Sequence, residues 1–506
     1  MKLLLTTIGK DNPNTDLALR YLYSVVSDAP LDVAMHSFDM IQTDSDIYGS
    51  IVRGRYNIVY FHCVEENEAR ITEIARMIKM VMPSIAIVAG GEQVSYDTEK
   101  YMLENPYVDY ALIGEGEKPM FHFIKSLVLY KFDFEEIAGF AYRNSNQIIV
   151  NEPEEPVDMD EIPFPYEKTN LTSDIVFYES IRGSQDRTTF NKHIGTEVRS
   201  LSLNRICTEL RYFLVKKVSK VVFLDRWFNY NTEKSYRIFE YIINNDNGET
   251  CFEFDINGDN IDEETVRLLS EAREGLFIFN IDVVSTNAET LAAIGRKENI
   301  YQLMYNVTKL IQASKVKLYI SIVAGLPYDT ETLFARSFNK AYGLAEGSPL
   351  SIRVLTLPKG SQLRNEAEKY GYIYLNNSPY TVIASDYMPA TDMINVKMIA
   401  NIVDKYIGEG GFRDSIPRIL NDTGVKPYEL FDKLANYIYN KGWENKLNKK
   451  ENLYRILYDF ADNFYDEDSD PLKLDILQRI LHSELESMIS EEEIKCFERK
   501  GWSIEF

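Results

Sequence analysis

The sequence predicts an α/β protein: two successive arrays of strand–helix units, then an all-helical carboxyl-terminal part. Three observations predict it. Short apolar runs alternate with stretches of helical periodicity from residue 2 onward. An acidic, proline-rich strap over residues 151–166 (NEPEEPVDMDEIPFPY) interrupts the alternation, which resumes at Ile175. Beyond about residue 391 the apolar spacing is helical only. Strands that alternate with helices argue for parallel, doubly wound sheets.

The first array opens with a strand over residues 2–8 and a helix over 14–28. A strand over 31–38 and a helix over 45–53 follow, then the apolar strand NIVYFHC over 57–63 and a helix over 67–82. Strands over 85–89 and 108–113 end in Gly90-Gly91 and in Gly114-Glu115-Gly116-Glu117. In such sheets the ligand lies outside the carboxyl ends of the strands. A glycine there lets backbone approach a cofactor closely, and it serves equally well in a tight turn.

The second array has strands over 175–179, 221–225, 252–256, 276–283, 318–324 and 351–357. Helices over 198–217, 232–244, 263–274, 301–313 and 332–345 lie between them. Eight such units close a barrel, so these six predict a partial, open one. The helical part reads as segments over 396–406, 415–419, 428–441, 450–464 and 472–488. Its acidic runs, over 459–470 and 484–493, read as solvated faces. The expected division is 1–150, a linker over 151–172, 173–375 and 376–506.

Composition narrows the function. The 506 residues carry a formal net charge of −23 and no basic cluster, which argues against a nucleic-acid groove. No apolar run is long enough to span a membrane, and the opening residues stop short of a signal peptide, so a cytoplasmic protein is expected. Cys63, Cys207, Cys251 and Cys496 form neither a disulfide framework nor a metal spacing.

The phrases AGGEQVS, VDYALIGEGEKP, IAGFAYRNSNQIIVNEP and MDEIPFPY, in that order, resemble the cobalamin-binding half of B12-binding radical S-adenosylmethionine (SAM) proteins. YESIRG and its following loop resemble the start of the radical SAM core, and FLDRWFN, STNAETLAAIGR, AGLPYDTETLFARSFN and SPYTV resemble its later parts. The resemblance implies a Rossmann-like doubly wound cobalamin-binding domain, a partial (β/α)6 TIM-like barrel and an all-α carboxyl-terminal domain. It implies cobalamin contacts at Gly9, Asn14, Thr15, Cys63, Glu65, Asn67, Gly90, Gly91, Glu92, Gln93, Gly114, Glu115, Gly116 and Glu117. The loop FHCVEEN, which covers the corrin in the family, is short and acidic here. No D-x-H-x-x-G occurs, so cobalamin is expected base-off. His62 is a candidate cobalt ligand, against the plainer reading of a satisfied half-buried histidine. Cys63 reads more simply as packing than as a ligand.

The departures from the family pattern fall at its reactive positions. The cluster motif CxxxCxxC is replaced by Ser184, Thr188 and Asn191. On the strands, the sites that meet SAM, cluster or substrate hold Asp255, Asn280, Asp282, Val284, Tyr319 and Ser321, with Arg353 and Thr356 on the sixth strand. Alternate residues of a barrel strand point inward, so these face the site. Cys207 and His193 lie near the loop but do not make up a three-ligand set. Arg182, Asp225, Arg226 and Arg296, at strand ends, either line a pocket or form ion pairs. The expectation is a cobalamin-binding, non-catalytic or partner-dependent pseudoenzyme, working with an intact radical SAM paralogue or another protein, with neither cluster nor SAM. The alternative is an active B12-dependent radical SAM methyltransferase acting on a small molecule or peptide.

Anaerobic reconstitution with iron and sulfide should leave the purified protein without the charge-transfer absorption of a cluster, since none of the three side chains is a thiolate. A content near about four irons per chain would contradict this.

Overall fold

The computed structural model describes residues 1–9, 16–145, 147–153, 155–169, 171, 174–192, 197–297, 299–408, 411–465 and 471–487. Asn14, Thr15, His193 and Cys496 lie outside the described residues.

Strands β1 (Lys2–Thr6), β2 (Asp32–Met35), β3 (Ile58–His62), β4 (Ala86–Gly90), β5 (Tyr110–Leu112), β6 (Phe140–Asn144) and β7 (Gln147–Val150) form one sheet, in the order β2-β1-β3-β4-β5-β6-β7. The first five pair in parallel. Helices α1 (Leu17–Val26), α2 (Asp44–Gly54), α3 (Glu68–Val81), α4 (Thr98–Glu104) and α5 (Glu117–Val128) lie on its two faces. Because successive strand residues point to opposite faces, Leu3 and Leu5 pack with Leu22 and Phe123, while Leu4 packs with Ile51 and Ile74. A sheet buried on both faces explains the apolar runs of β1 and β3.

One strand pair departs from the expected parallel order. β6 and β7 add an antiparallel hairpin beyond β5, where the sequence reading ended the array at residue 113. Their connection is too short for anything but antiparallel neighbours.

The second sheet joins β8 (Ile175–Tyr178), β9 (Lys220–Phe223), β10 (Cys251–Asp255), β11 (Phe277–Val284), β12 (Lys317–Ala324) and β13 (Leu350–Val354) in sequence order, all parallel. Helices α6 (Leu203–Lys216), α7 (Thr232–Asn244), α8 (Glu263–Ser270), α9 (Ile300–Ala313) and α10 (Glu331–Ala345) cover its outside, giving the expected open barrel. An aromatic group fills part of its core: Phe254 lies 4.3 Å from Phe223 and 4.5 Å from Phe228, centroid to centroid. The described carboxyl-terminal part is helical, with α11 (Ala390–Val403), α12 (Ser415–Thr423), α13 (Pro427–Asn440), α14 (Lys450–Phe464) and α15 (Pro471–Glu486).

The helix expected from residue 198 starts instead at Leu203, where Ser202 caps it by accepting from the Arg205 N–H. Arg199 and Ser200 pair antiparallel with Ile181 and Arg182, folding the loop after β8 back on itself. Gly183 makes the fold-back possible. Its φ is +82°, and a Cβ there would meet the Glu197 carbonyl oxygen at 2.3 Å.

Asp329, between β12 and α10, is fully buried, and neither carboxyl oxygen has a hydrogen-bond partner among the described residues. Burial pushes its carboxyl up to about 7. An unfolded aspartate titrates near about 3.9, so between these values the folded state binds more protons. Stability therefore falls as pH rises through that window. In urea titrations the wild type should lose on the order of 2 kcal/mol relative to Asp329→Asn between about pH 5 and about pH 8. Parallel pH profiles for the two proteins would contradict the assignment.

Candidate cofactor site between the first sheet and the barrel

A cavity of about 780 Å³ opens where the carboxyl ends of β3, β4 and β5 face the end of β8. His62, Gly91, Gly114, Glu115, Gly116 and Glu117 line it from the first sheet, and Glu179, Arg182, Gly183 and Arg226 from the barrel. Leu17, Tyr21, Tyr60 and Leu112 supply apolar wall.

The two halves are joined across this region by ion pairs. Arg182, with a side chain only 10% exposed, reaches Glu179 at 2.8 Å, Glu115 at 3.0 Å and Glu117 at 2.6 Å. Its guanidinium also lies over the Tyr21 ring, 5.0 Å from the centroid. Burial alone would weaken its hold on the proton, but Glu117 and Glu179 outweigh that and raise it. Arg199 pairs with Glu115 as well. Lys192 stands between Glu65, at 3.0 Å, and Glu92, at 2.6 Å, and Lys359 meets Glu68 at 2.9 Å. The acidic residues that the family resemblance assigns to the corrin face thus have their carboxylates on barrel cations.

The other expected cofactor contacts divide. Gly91, at φ +105°, leaves no room for a side chain: a Cβ would come 2.5 Å from the Cys63 carbonyl oxygen and 2.8 Å from His62 Cδ2. Gly90 backs onto Tyr60, whose hydroxyl would be 2.6 Å from a Cβ, whereas the Cβ direction of Gly9 and of Gly114 is open. Buried Asn67 donates to Thr7 Oγ1, the Ile8 carbonyl and the His62 carbonyl, and accepts from the Val64 N–H, which pins the loop after β3. Gln93 is buried, and its Oε1 lacks a partner among the described residues. Cys63 is fully buried beside the Tyr101 hydroxyl, and burial pushes its thiol up to about 12. His62 Nδ1 lies 2.9 Å from Asp16 Oδ2.

In the loop after β8, Asp186 gathers the positions expected to hold a cluster. Its carboxylate accepts from the Thr188 N–H and hydroxyl, from Asn191 Nδ2 at 2.9 Å and from Arg226 Nε at 2.7 Å. Ser184 Oγ accepts from the Asp186 N–H at 3.0 Å. Burial would raise the Asp186 carboxyl, but Arg226 and the Thr188 donors hold it below the usual carboxylate range. Thr188 is fully buried, so no thiolate-like donor is presented there. The loop's first turn is anchored by Asp225, which accepts from Ser180 and from the Ile181 N–H; burial pushes its carboxyl up to about 7.

At the barrel mouth, three of the departures from the family pattern satisfy one another. Asp282 accepts from the Ser321 hydroxyl and pairs with Arg353 at 2.7 Å. Arg296 donates to the Asp282 carbonyl at 2.5 Å and stands over Trp227. Desolvation and the Asp282 charge push Asp255 up to about 6. Asn280 turns its amide to Glu253 at 3.0 Å and also helps hold the Asp255 carboxyl down, whereas Tyr319 receives the Lys317 ammonium over its ring and stands apart from that group. Sequence reasoning singled out neither Asp186, Lys192, Arg199 nor Asp16. The one available signal was charge: a lysine directly after Asn191 answers the glutamates of FHCVEEN.

Comparisons with known proteins bear on this site. The B12 binding domain model matches residues 1–124, the radical SAM superfamily model residues 185–339, and a protein family of unknown function, DUF4080, residues 368–504. An uncharacterized methyltransferase of Pyrococcus horikoshii is 25% identical over 180 residues, 33% of this chain and 38% of the relative. The 2-(S-pantetheinyl)-carbapenam-3-carboxylate methyltransferase of Streptantibioticus cattleyicolor is 26% identical over 111 residues, 22% of this chain and 16% of that protein. These alignments therefore span well under two thirds of either relative. Among solved structures, the cobalamin-dependent SAM radical enzyme OxsB superposes with a TM-score of 0.65 at 14% identity, covering 99% of this chain and 83% of its own. The radical SAM methyltransferase TsrM of Kitasatospora setae superposes with a TM-score of 0.61 at 14% identity, covering 74% and 79%. At these identities the superpositions establish the fold. No helix among the described residues is long and apolar enough to cross a membrane. The chain thus carries a match to the B12 binding domain followed by one to the radical SAM superfamily, in the order that the sheet and the open barrel follow.

Proposed function

We propose that the chain binds cobalamin in the cavity between its first sheet and its barrel, and that it serves cobalamin-dependent methyl transfer to a small molecule or peptide without a four-iron cluster of its own. The observation that carries this is the cavity itself: it lies against the carboxyl ends of three parallel strands, within the span of the B12 binding model. The residues fit a corrin. Gly91 clears the backbone for a close approach, the space beyond Gly114 is open, and the wall is largely apolar. They do not fit a cluster, because Ser184, Thr188 and Asn191 supply no thiolate and the latter two donate to Asp186.

The named relatives, both methyltransferases, support an enzyme better than they support a pseudoenzyme. Cobalamin held here would supply methyl-transfer chemistry, with a sulfonium such as SAM as the methyl source. The chain's own residues do the rest. Arg182 and its glutamates hold the barrel against the cofactor face. For the base that takes the proton from an incoming nucleophile we assign Asp255 at the barrel mouth, whose carboxyl is raised to about 6.

A second reading, a non-catalytic cobalamin carrier that partners an intact radical SAM paralogue, is favoured by one observation: Asp186 engages both Thr188 and Asn191 in the loop expected to hold the cluster. Incubation with hydroxocobalamin, SAM and a strong reductant separates the readings. The first expects S-adenosylhomocysteine above a no-protein control, with no 5′-deoxyadenosine; a chain that retains corrin but makes neither product would be the carrier. Catalytic 5′-deoxyadenosine, lost on heating the protein, would overturn the cluster-free part. Gly91→Trp should fill the site and abolish corrin retention after desalting; unchanged retention would place the corrin elsewhere.

A further inference from the structure

We infer that His62 is a cobalt ligand, its Nε2 binding the metal from the first-sheet side with Asp16 as the positioning residue. The inference rests on the cobalamin reading above. His62 ends β3, lines the cavity, and has a side chain 17% exposed. Its Nδ1 is engaged by Asp16 at 2.9 Å. Asp16 is itself fixed, because its other oxygen accepts from the Leu19 N–H at 2.9 Å as the cap of α1. A carboxylate on one ring nitrogen sets the tautomer, leaves the lone pair on the other and raises its basicity, the arrangement common to metal-bound histidines. Among the described residues Nε2 has no hydrogen-bond partner.

The neighbourhood is shaped around that ring edge. The Cβ that Gly91 lacks would stand 2.8 Å from His62 Cδ2, the carbon next to Nε2. Any other residue at position 91 would push the ring away. The competing donors are poorer. Cys63 keeps its proton, with its thiol pushed up to about 12, and sits buried against Tyr101. His122 also lines the cavity, but it lies exposed on α5, with no carboxylate on either ring nitrogen. Imidazole nitrogen is a good ligand for a late first-row metal such as cobalt. The absence of D-x-H-x-x-G from the sequence is then answered by a histidine from a different strand end.

The test is electron paramagnetic resonance of the full chain loaded with cob(II)alamin, with and without ¹⁵N-histidine labelling. The inference expects a nitrogen-split cobalt signal with three-line splitting that becomes two-line on labelling. His62→Ala should retain corrin and lose the splitting, and His122→Ala should keep it. Retained corrin with no nitrogen splitting, or splitting unchanged by labelling, overturns the ligand while leaving the binding site standing. Failure of the wild type to retain any corrin overturns both. Because the labelling is done on the unaltered protein, the test does not depend on a variant's folding.

Discussion

Arg182 stands where the barrel meets the first sheet, and three carboxylates close on it. One comes from its own strand end and two from the Gly-Glu-Gly-Glu turn after β5. A buried guanidinium needs such partners, because desolvating it unpaired costs several kcal/mol. The cavity draws its walls from both sides of this contact. Lys192, Arg199 and Lys359 repeat the pattern farther out, each cation from the barrel and each glutamate from the first sheet.

Asp186 takes the donors of Thr188, Asn191 and Arg226, so two of the three positions expected to hold a cluster are engaged by one carboxylate. Asp282, Ser321 and Arg353 satisfy each other across three adjacent strands. A buried polar group left unpaired costs more than a paired one gains. These pairings account for the named side chains, while Thr189 Oγ1 in the same loop is buried without a partner among the described residues.

Much of the fold was legible because periodicity is local. Alternation along residues 2–113 and 175–357 marked the parallel strands, and helical spacing marked α14 over the same residues that form it. The hairpin of β6 and β7 was missed because two short strands beside a loop carry little periodic signal. The start of α6 was misplaced because the apolar spacing runs back through residues 198–201, while the Ser202 cap and the pairing with Arg182 decide it. Ion pairs were an open reading for Arg182 and Arg226, but their partners were not legible. Arg182 and Glu115 are 67 positions apart, and Lys192 and Glu92 are 100 apart, so only the folded chain brings them together. The absence of thiols at Ser184, Thr188 and Asn191 is plain in the sequence, but the carboxylate of Asp186 that engages the latter two is not, because its role depends on four donors meeting in space.

The central claim is that one buried arginine holds the cofactor face together, and Arg182→Met tests it most directly. Methionine keeps most of the volume and strands Glu117 and Glu179 without their cation. The variant should lose about 3–5 kcal/mol in urea unfolding, the usual cost of removing one partner from a buried ion pair, and should fail to retain cobalamin after desalting. A variant within about 1 kcal/mol of wild type that keeps its corrin would contradict the account.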